Sequence, residues 1–446
     1  MRHLIAGRFG LRDNIQLEKD NDEIINYLDF IAQNNKLTPW LETTLKKLND
    51  LKLQPTELGF DLLILAVHVH VADTHISRMK DSQDSWTREI RLAIPVSDPG
   101  KWMNSKATVE KMLNFLTGDI WIINFRKRPK EIRSLLTIKN KPESPKFDIL
   151  SLFSGGLDSL IGAIDLLEQG KKPLLISYSG DGSVSSPQSK LFSLLKKEYS
   201  KRDFERLKIG IEIPKDLIKE SIHENTTRGR SFFFFAIGIL AGTAFSKPFK
   251  LIVPENGLIA LNVPLDNLRL GSLSTRTTHP FYIFLWNKLL SELKIDGNIQ
   301  NPYWEKTKGE MIKQCLNNNF LMNSYVKSMS CASPNKLRWR GLSSRHCGYC
   351  LPCIIRKASI NSGLGKGKDK TKYWKKDLKK LISSNETTTT QQIRSFQYAI
   401  KIIKENPKKA NYLIHLPGPL PELKERELRL LTDVYRRGLG EIALLL

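Results

Sequence analysis

The run Phe147-Asp148-Ile149-Leu150-Ser151-Leu152-Phe153-Ser154-Gly155-Gly156-Leu157-Asp158-Ser159 leaves an apolar stretch through Ser-Gly-Gly. Beyond it, Leu157, Leu160, Ile161, Ile164 and Leu167 recur at helical spacing, and Gly170 stands where that helix would stop. The pattern predicts a strand over 147–153, a tight loop and a helix. Two adjacent glycines weaken a strand end, so the loop needs a compensating role. Glycine lets backbone approach an anion closely, and a helix start turns unpaired N–H groups and a positive dipole end toward it. Ser154 and Ser159 add hydroxyl donors. Asp158 would repel a phosphate, so it is expected either to hold Mg²⁺ or to orient the loop.

On the C-terminal side the alternation continues. Strands are predicted at 173–178, 207–213 and 249–253, with helices at 191–199 and 231–245. Apolar strands alternating with helices argue for an α/β fold with a doubly wound parallel sheet. The 231–245 run, SFFFFAIGILAGTAF, falls short of the roughly 18–20 apolar residues that span a bilayer, and reads as a buried helix. On the N-terminal side, charge and two prolines at 139–146 suggest a linker. Residues 1–140 then form an α+β module, with an apolar run at 60–72, a strand at 86–96, a helix at 107–116 and a strand at 119–125. His68 and His70 fall two apart in the apolar run; packed or capped histidines are the expectation there, with a metal pair on one strand face as the alternative. The central domain spans 147–365. Residues 366–446 read as a basic helical region, with eight lysines between Lys366 and Lys380.

The chain has 446 residues, with Lys+Arg 70 against Asp+Glu 46 and a net charge of +24. That balance suits an acidic partner such as a nucleotide or nucleic acid, or a solvated lysine-rich surface. Met1-Arg2-His3 leads into a mixed run rather than an apolar signal, so a cytoplasmic chain with no membrane partner is expected. Four of the five cysteines follow C-x15-C-x2-C-x2-C: Cys331, Cys347, Cys350 and Cys353. Four thiolates complete a closed tetrahedral shell, which predicts a structural Zn²⁺ with Gly348 turning the backbone between ligands. His346 is a substitute ligand, and Cys315 stands apart as a core residue.

The loop lacks the GK[ST] of the nucleoside-triphosphate loop and the G-x-G-x-x-G of dinucleotide sites. SGGLDS after a strand instead resembles the PP-loop of ATP pyrophosphatases. Together with KTKGEMIKQC (306–315) and CGYCLPCIIRKASINSGLG (347–365), it resembles the QueC family, the 7-cyano-7-deazaguanine synthases. The length and N-terminal module are most similar to the QueC-like branch of the Qat anti-phage system, a cousin of one serving type IV CBASS defence. The resemblance implies ATP, Mg²⁺ and structural Zn²⁺. It implies that Ser154, Gly155, Gly156, Leu157, Asp158 and Ser159 bind ATP, with Asp158, Ser159 and Arg230 catalytic. Arg228, Arg230 and Arg276 are candidate phosphate clamps. Ser177 is placed to meet adenine through its backbone, and Asn256 matches a weaker motif, Glu255-Asn256-Gly257. His279 is a candidate proton carrier.

By resemblance the substrate is a deazaguanine-type acid, activated as an adenylate and joined to an amine. In the defence branch that amine is the N-terminus of a partner protein from the same operon, and the N-terminal module is then its dock. Two departures weaken the substrate assignment. The family's Tyr-Pro-Asp stretch is replaced near STRTTHPFYI (274–283), and the segment after the second strand is SGDGSVSSPQ (179–188). Three alternatives share these residues: a synthase using ammonia, a tRNA-modifying PP-loop enzyme and a non-catalytic nucleotide-binding scaffold.

Overall fold

The computed structural model describes residues 2–10, 13, 15, 17, 20–31, 36–129, 146–178, 182–214, 216–224, 228–266, 276–335, 343–382, 387–420 and 422–446. Most of the 139–146 linker, the first part of 179–188 and the first two residues of 274–283 lie outside them. Two compact units emerge from the chain's contacts. One gathers Met1–Leu150, Leu207–Leu251 and Tyr282–Ile299; the other gathers Ser151–Arg206, Ile252–Phe281 and Gln300–Leu446. The grouping is not sequential, unlike the expected 1–140, 147–365 and 366–446. Middle segments join the N-terminal residues, and the C-terminal helices join the loop.

The first unit holds β1 (Arg2–Phe9), β2 (Glu23–Ile31), β3 (Glu89–Val96) and β4 (Ile120–Lys127) in the order β2-β1-β3-β4. Every pairing in this sheet is parallel, with Leu4 opposite Ile25 and Arg91, and Ile90 opposite Trp121. The expected α+β module is therefore α/β. A parallel sheet must be covered by crossover elements, and the helices Glu57–His75 and Pro99–Thr117 serve here. Glu57–His75 is buried nearly all round, capped by the Thr56 hydroxyl accepting from Gly59 N. It lies against helix Arg230–Gly242, where Thr56 N donates to Thr243 Oγ1 at 3.1 Å. Phe232 and Phe235 of the latter helix pack on Trp286 and Tyr282.

The remaining strands are β5 (Ile149–Leu152), β6 (Pro173–Tyr178), β7 (Glu205–Ile209), β8 (Phe249–Ile252) and β9 (Gly297–Gln300). They form a second parallel sheet in the order β7-β6-β5-β8-β9. The two central strands β5 and β6 are buried at every residue, as expected of strands covered on both faces. In the second unit, helix Leu157–Glu168 buries Leu160, Ile161, Ile164 and Leu167 against Leu175, Leu191 and Leu195. It ends at Gln169, followed by Gly170 at φ +73°. A separate apolar cluster joins Cys347, Cys350 and Cys353 to Ile393, Phe396, Leu431, Val434 and Tyr435 of the C-terminal helices Thr387–Glu405 and Glu425–Ala443. Among the described residues no helix is long and apolar enough to cross a membrane.

Candidate functional site

β5 runs into Ser154-Gly155-Gly156, and Gly156 is the N-cap of helix Leu157–Glu168. The loop is built for glycine. Gly155 holds φ +81°, and a Cβ there would stand 2.9 Å from Gln188 Cγ. Gly156 has no side chain with which to cap the helix, so the first N–H groups take outside partners. Gly156 N donates to Ser154 Oγ at 3.3 Å and Leu157 N to Ser330 Oγ at 3.4 Å. Ser154 Oγ meets Ser159 Oγ at 3.2 Å, and Ser159 Oγ donates to Gly156 O at 3.0 Å. Three hydroxyls thus surround the helix start, through bonds at the long end of the normal range. Two partners invisible to the sequence reading fix the loop's backbone. Gln188, fully buried, donates to Ser154 O and Tyr178 O, and Met329 N donates to Gly155 O at 2.9 Å.

Beneath the loop Asp158 is buried and engaged on both oxygens. Oδ2 accepts from Asn256 Nδ2 at 2.7 Å and Asn256 N at 3.1 Å, and Oδ1 pairs with Lys308 Nζ at 3.0 Å. These bonds suit a residue that orients the loop. Burial pushes the Asp158 carboxyl up, but the Lys308 charge and the Glu255 and Asn256 hydrogen bonds outweigh it and hold the group below the ordinary carboxylate range. Glu255 moves the other way. Burial and the neighbouring Asp158 charge raise it well above 4.5, so the two carboxyls share one proton and one charge opposite Lys308. Asn256 is a strut rather than an exposed ligand: it also caps helix Gly257–Leu261, accepting from Ile259 N at 3.1 Å. Lys308 opens helix Lys308–Lys313 behind the Thr307–Glu310 capping box. The T-x-x-E pattern at 307–310 was the available sequence signal for that helix start. Nothing set Lys308 apart from the other basic residues.

The four cysteines come together as expected. Their sulfurs lie within 4.8 Å of one another, with Cys331–Cys350 and Cys347–Cys353 each at 3.9 Å. A tetrahedral metal about 2.3 Å from each sulfur sets sulfurs about 3.8 Å apart. Cys347 N points at Cys331 Sγ and Cys350 N at Cys347 Sγ, donors that suit thiolate charge. The cluster could hold a structural metal ion such as zinc. Gly348 takes φ +93°, and a Cβ there would collide with Lys375 O. His346 is not a fourth ligand; its Nε2 accepts from Ser330 N at 3.2 Å. Arg356, fully buried, donates to Ser328 Oγ, Ser330 Oγ and Tyr325 O. The segment 328–331 is thereby tied to the cysteine cluster at one end and to the loop at the other.

The remaining predicted residues are each held by their own unit's contacts. Ser177 is fully buried and its hydroxyl donates to Phe153 O at 2.9 Å, which locks the end of β5 to β6. Arg228 and Arg230 belong to the first unit. There the Arg228 guanidinium lies 4.1 Å from the Trp86 ring centroid and donates to Thr117 O at 2.8 Å. Arg230 begins its helix and is half-buried. Arg276 belongs to the second unit, where burial lowers its pKa. His279 is fully buried, its Nδ1 accepting from Phe281 N, and burial pushes it down to about 3. His68 and His70 lie on a helix, not a strand. His68 Nδ1 bonds Ile64 O at 2.7 Å and His70 stands against Phe233, the packed arrangement expected. Burial pushes the Cys315 thiol up to about 12, so it is no thiolate.

No protein-family model matches the chain, and no curated protein matches it. What stands is an α/β chain with two parallel sheets and a cysteine cluster fit for a metal.

Proposed function

We propose that the chain is an ATP-dependent ligase of the PP-loop type, which adenylates a deazaguanine-type carboxylate and passes it to an amine. The observation that carries this is the Ser154–Ser159 loop: a glycine turn in the left-handed region leading into an uncapped helix start, ringed by three hydroxyls in long bonds. Phosphate oxygens would offer those donors shorter, charge-assisted bonds. The sheet order supports the placement. It turns at β5, with β6 on one side and β8 on the other, and ligands of open α/β sheets bind at such switch points beyond the strands' carboxyl ends.

A carboxylate is a poor electrophile, since its charge repels nucleophiles and oxide leaves badly. In the proposed reaction its oxygen attacks the α-phosphorus of ATP. An O–P bond forms, the bond to the β-phosphate oxygen breaks, and pyrophosphate leaves on the loop. The amine then attacks the acyl carbon, AMP departs and the amine sheds a proton. The loop amides and the Ser154 and Ser159 hydroxyls neutralise the departing charge, while Asp158, braced by Lys308 and Asn256, fixes the loop. Losing one such donor typically costs about 3–4 kcal/mol of barrier, roughly a hundred- to thousandfold in rate. Magnesium would neutralise phosphate charge, and zinc in the cysteine cluster would supply rigidity.

The acceptor is proposed to be the N-terminal amine of a partner protein in an anti-phage system, on the strength of the motif resemblance. The test is incubation with ATP, Mg²⁺, an ammonium salt, 7-carboxy-7-deazaguanine and the neighbouring gene's protein. Pyrophosphate release and a deazaguanine-sized mass gain on the partner are expected, and both should vanish in Asp158→Ala. Free nitrile with an unmodified partner points to the ammonia-using synthase instead; no pyrophosphate at all sinks the enzyme reading. The sulfur-transferring tRNA alternative loses ground on Cys315, whose buried thiol is held protonated.

A further inference from the structure

The second unit holds a cavity of about 420 Å³, walled in part by Leu351, Pro352 and Ile355 of the 347–365 stretch. Its volume falls in the range of small-molecule pockets, roughly 300–1,000 Å³. Its walls are apolar and partly aromatic, including Leu258, Leu351, Phe396 and Tyr435. Asn262, Ser333 and Gln392 are its polar members, and none of its lining residues carries a charge. Such a wall rejects a phosphate tail or a carboxylate, which would lose hydration without a counter-charge. It suits a planar, uncharged ring system stacked on aromatic side chains. The Tyr435 hydroxyl, closed off from solvent, has no hydrogen-bond partner among the described residues, so a ring acceptor reaching it would satisfy an unpaired donor.

Two chain segments join this cavity to the loop. Ser330 and Met329 bond the loop backbone, and Ala332 and Ser333, two or three residues on, line the cavity. Asn256 bonds Asp158, and Leu258, Ile259 and Asn262 of the same short helix line the cavity. Two residues of chain span at most ~7 Å, so the cavity begins within one ring's length of the loop's supports.

We infer that this cavity holds the uncharged ring body of the acid, with its carboxylate directed out toward the loop, and that the C-terminal helices supply the far wall through Gln392, Phe396 and Tyr435. The inference rests on the ligase reading for the carboxylate but not for the ring. The test uses the full chain and two probes: 7-deazaguanine, the ring alone, followed by calorimetry, and 7-carboxy-7-deazaguanine, followed by pyrophosphate release. Ala332→Trp, at the exposed mouth, and Ile259→Trp, on the segment that carries Asn256, would each fill the space. Ring binding by the wild type that weakens about tenfold or more in both variants, with ATP binding kept, is the expected result. Undiminished ring binding in the folded variants overturns the inference. So does a wild type that releases pyrophosphate with the acid but does not bind the ring. Ring binding lost in both variants, with no pyrophosphate released from any acid, would keep the cavity and remove the ligase reading.

Discussion

Two carboxyl groups and one lysine meet beneath the loop, and burial and neighbouring charge drive the two carboxyls in opposite directions. Asp158 sits below its ordinary range, so its contribution to stability is present above the usual carboxylate value and is lost as pH falls through its folded value. Glu255 is raised, so the folded chain keeps a proton that the unfolded chain releases. Its contribution therefore declines as pH climbs from 4.5 toward the folded value. Glu255→Gln removes the second effect while keeping a donor beside Asp158. Thermal unfolding should show the variant gaining on the wild type as pH climbs above 4.5, and parallel curves would show that Glu255 keeps no proton in the folded chain that it releases on unfolding. The loop glycine is a second residue-scale test. Gly155→Ala puts a Cβ at φ +81° against Gln188, so a stability loss of about 1–3 kcal/mol is expected, with weaker ATP binding. An alanine variant that binds ATP like the wild type would show that the turn is not needed for the ligand.

At the scale of elements, the segment 328–331 couples the metal site to the loop. Ser330 receives Leu157 N, gives its own N–H to His346, and precedes Cys331 of the cysteine cluster. Metal analysis should find one zinc per chain. Chelation, or Cys347→Ser, should lower the melting temperature and weaken ATP binding together, although no cysteine touches the loop. Unchanged ATP affinity in a folded, zinc-free protein would cut that link. The same elements show what a sequence can reveal. Helix Leu157–Glu168 was legible because one face is apolar and a glycine stops it; β6 was legible as a buried run between turn signals. Helix Glu57–His75 hid its identity, for a helix buried all round loses the 3.6-residue rhythm, and its histidines read as strand neighbours. The cysteine spacing exposed the metal cluster because ligands close in sequence need little tertiary help. Lys308, Gln188 and Ser330 stayed hidden because only the fold brings them to the loop.

For the molecule as a whole, the charge of +24 and the C-terminal helices pose separate questions. Charge of this size binds polyanions with affinity that falls steeply with salt. If the ligase reading holds, added RNA should bind in that salt-sensitive way without changing pyrophosphate release; stimulation by RNA would favour the tRNA alternative. The C-terminal region reads in the sequence as a basic helical region after the central domain, and its helices are grouped with the loop. Glu441 accepts from the Thr307 hydroxyl, from Gly309 N at 3.3 Å and from the Ser359 hydroxyl at 3.1 Å, and so holds the turn that presents Lys308. Leu431, Val434, Tyr435, Leu439 and Ile442 are buried in the cluster around the cysteines. Emptying one such site costs about 2–5 kcal/mol, and a domain's whole stability is only about 5–15 kcal/mol. Deleting 425–446 should therefore unfold the second unit, seen as insoluble protein or loss of the cooperative melt. Glu441→Gln, which keeps the apolar contacts, should stay folded with a lower melting temperature and weakened ATP binding through Lys308. A soluble chain ending at 424, with unchanged melting and ATP binding, would make this helix dispensable to the second unit.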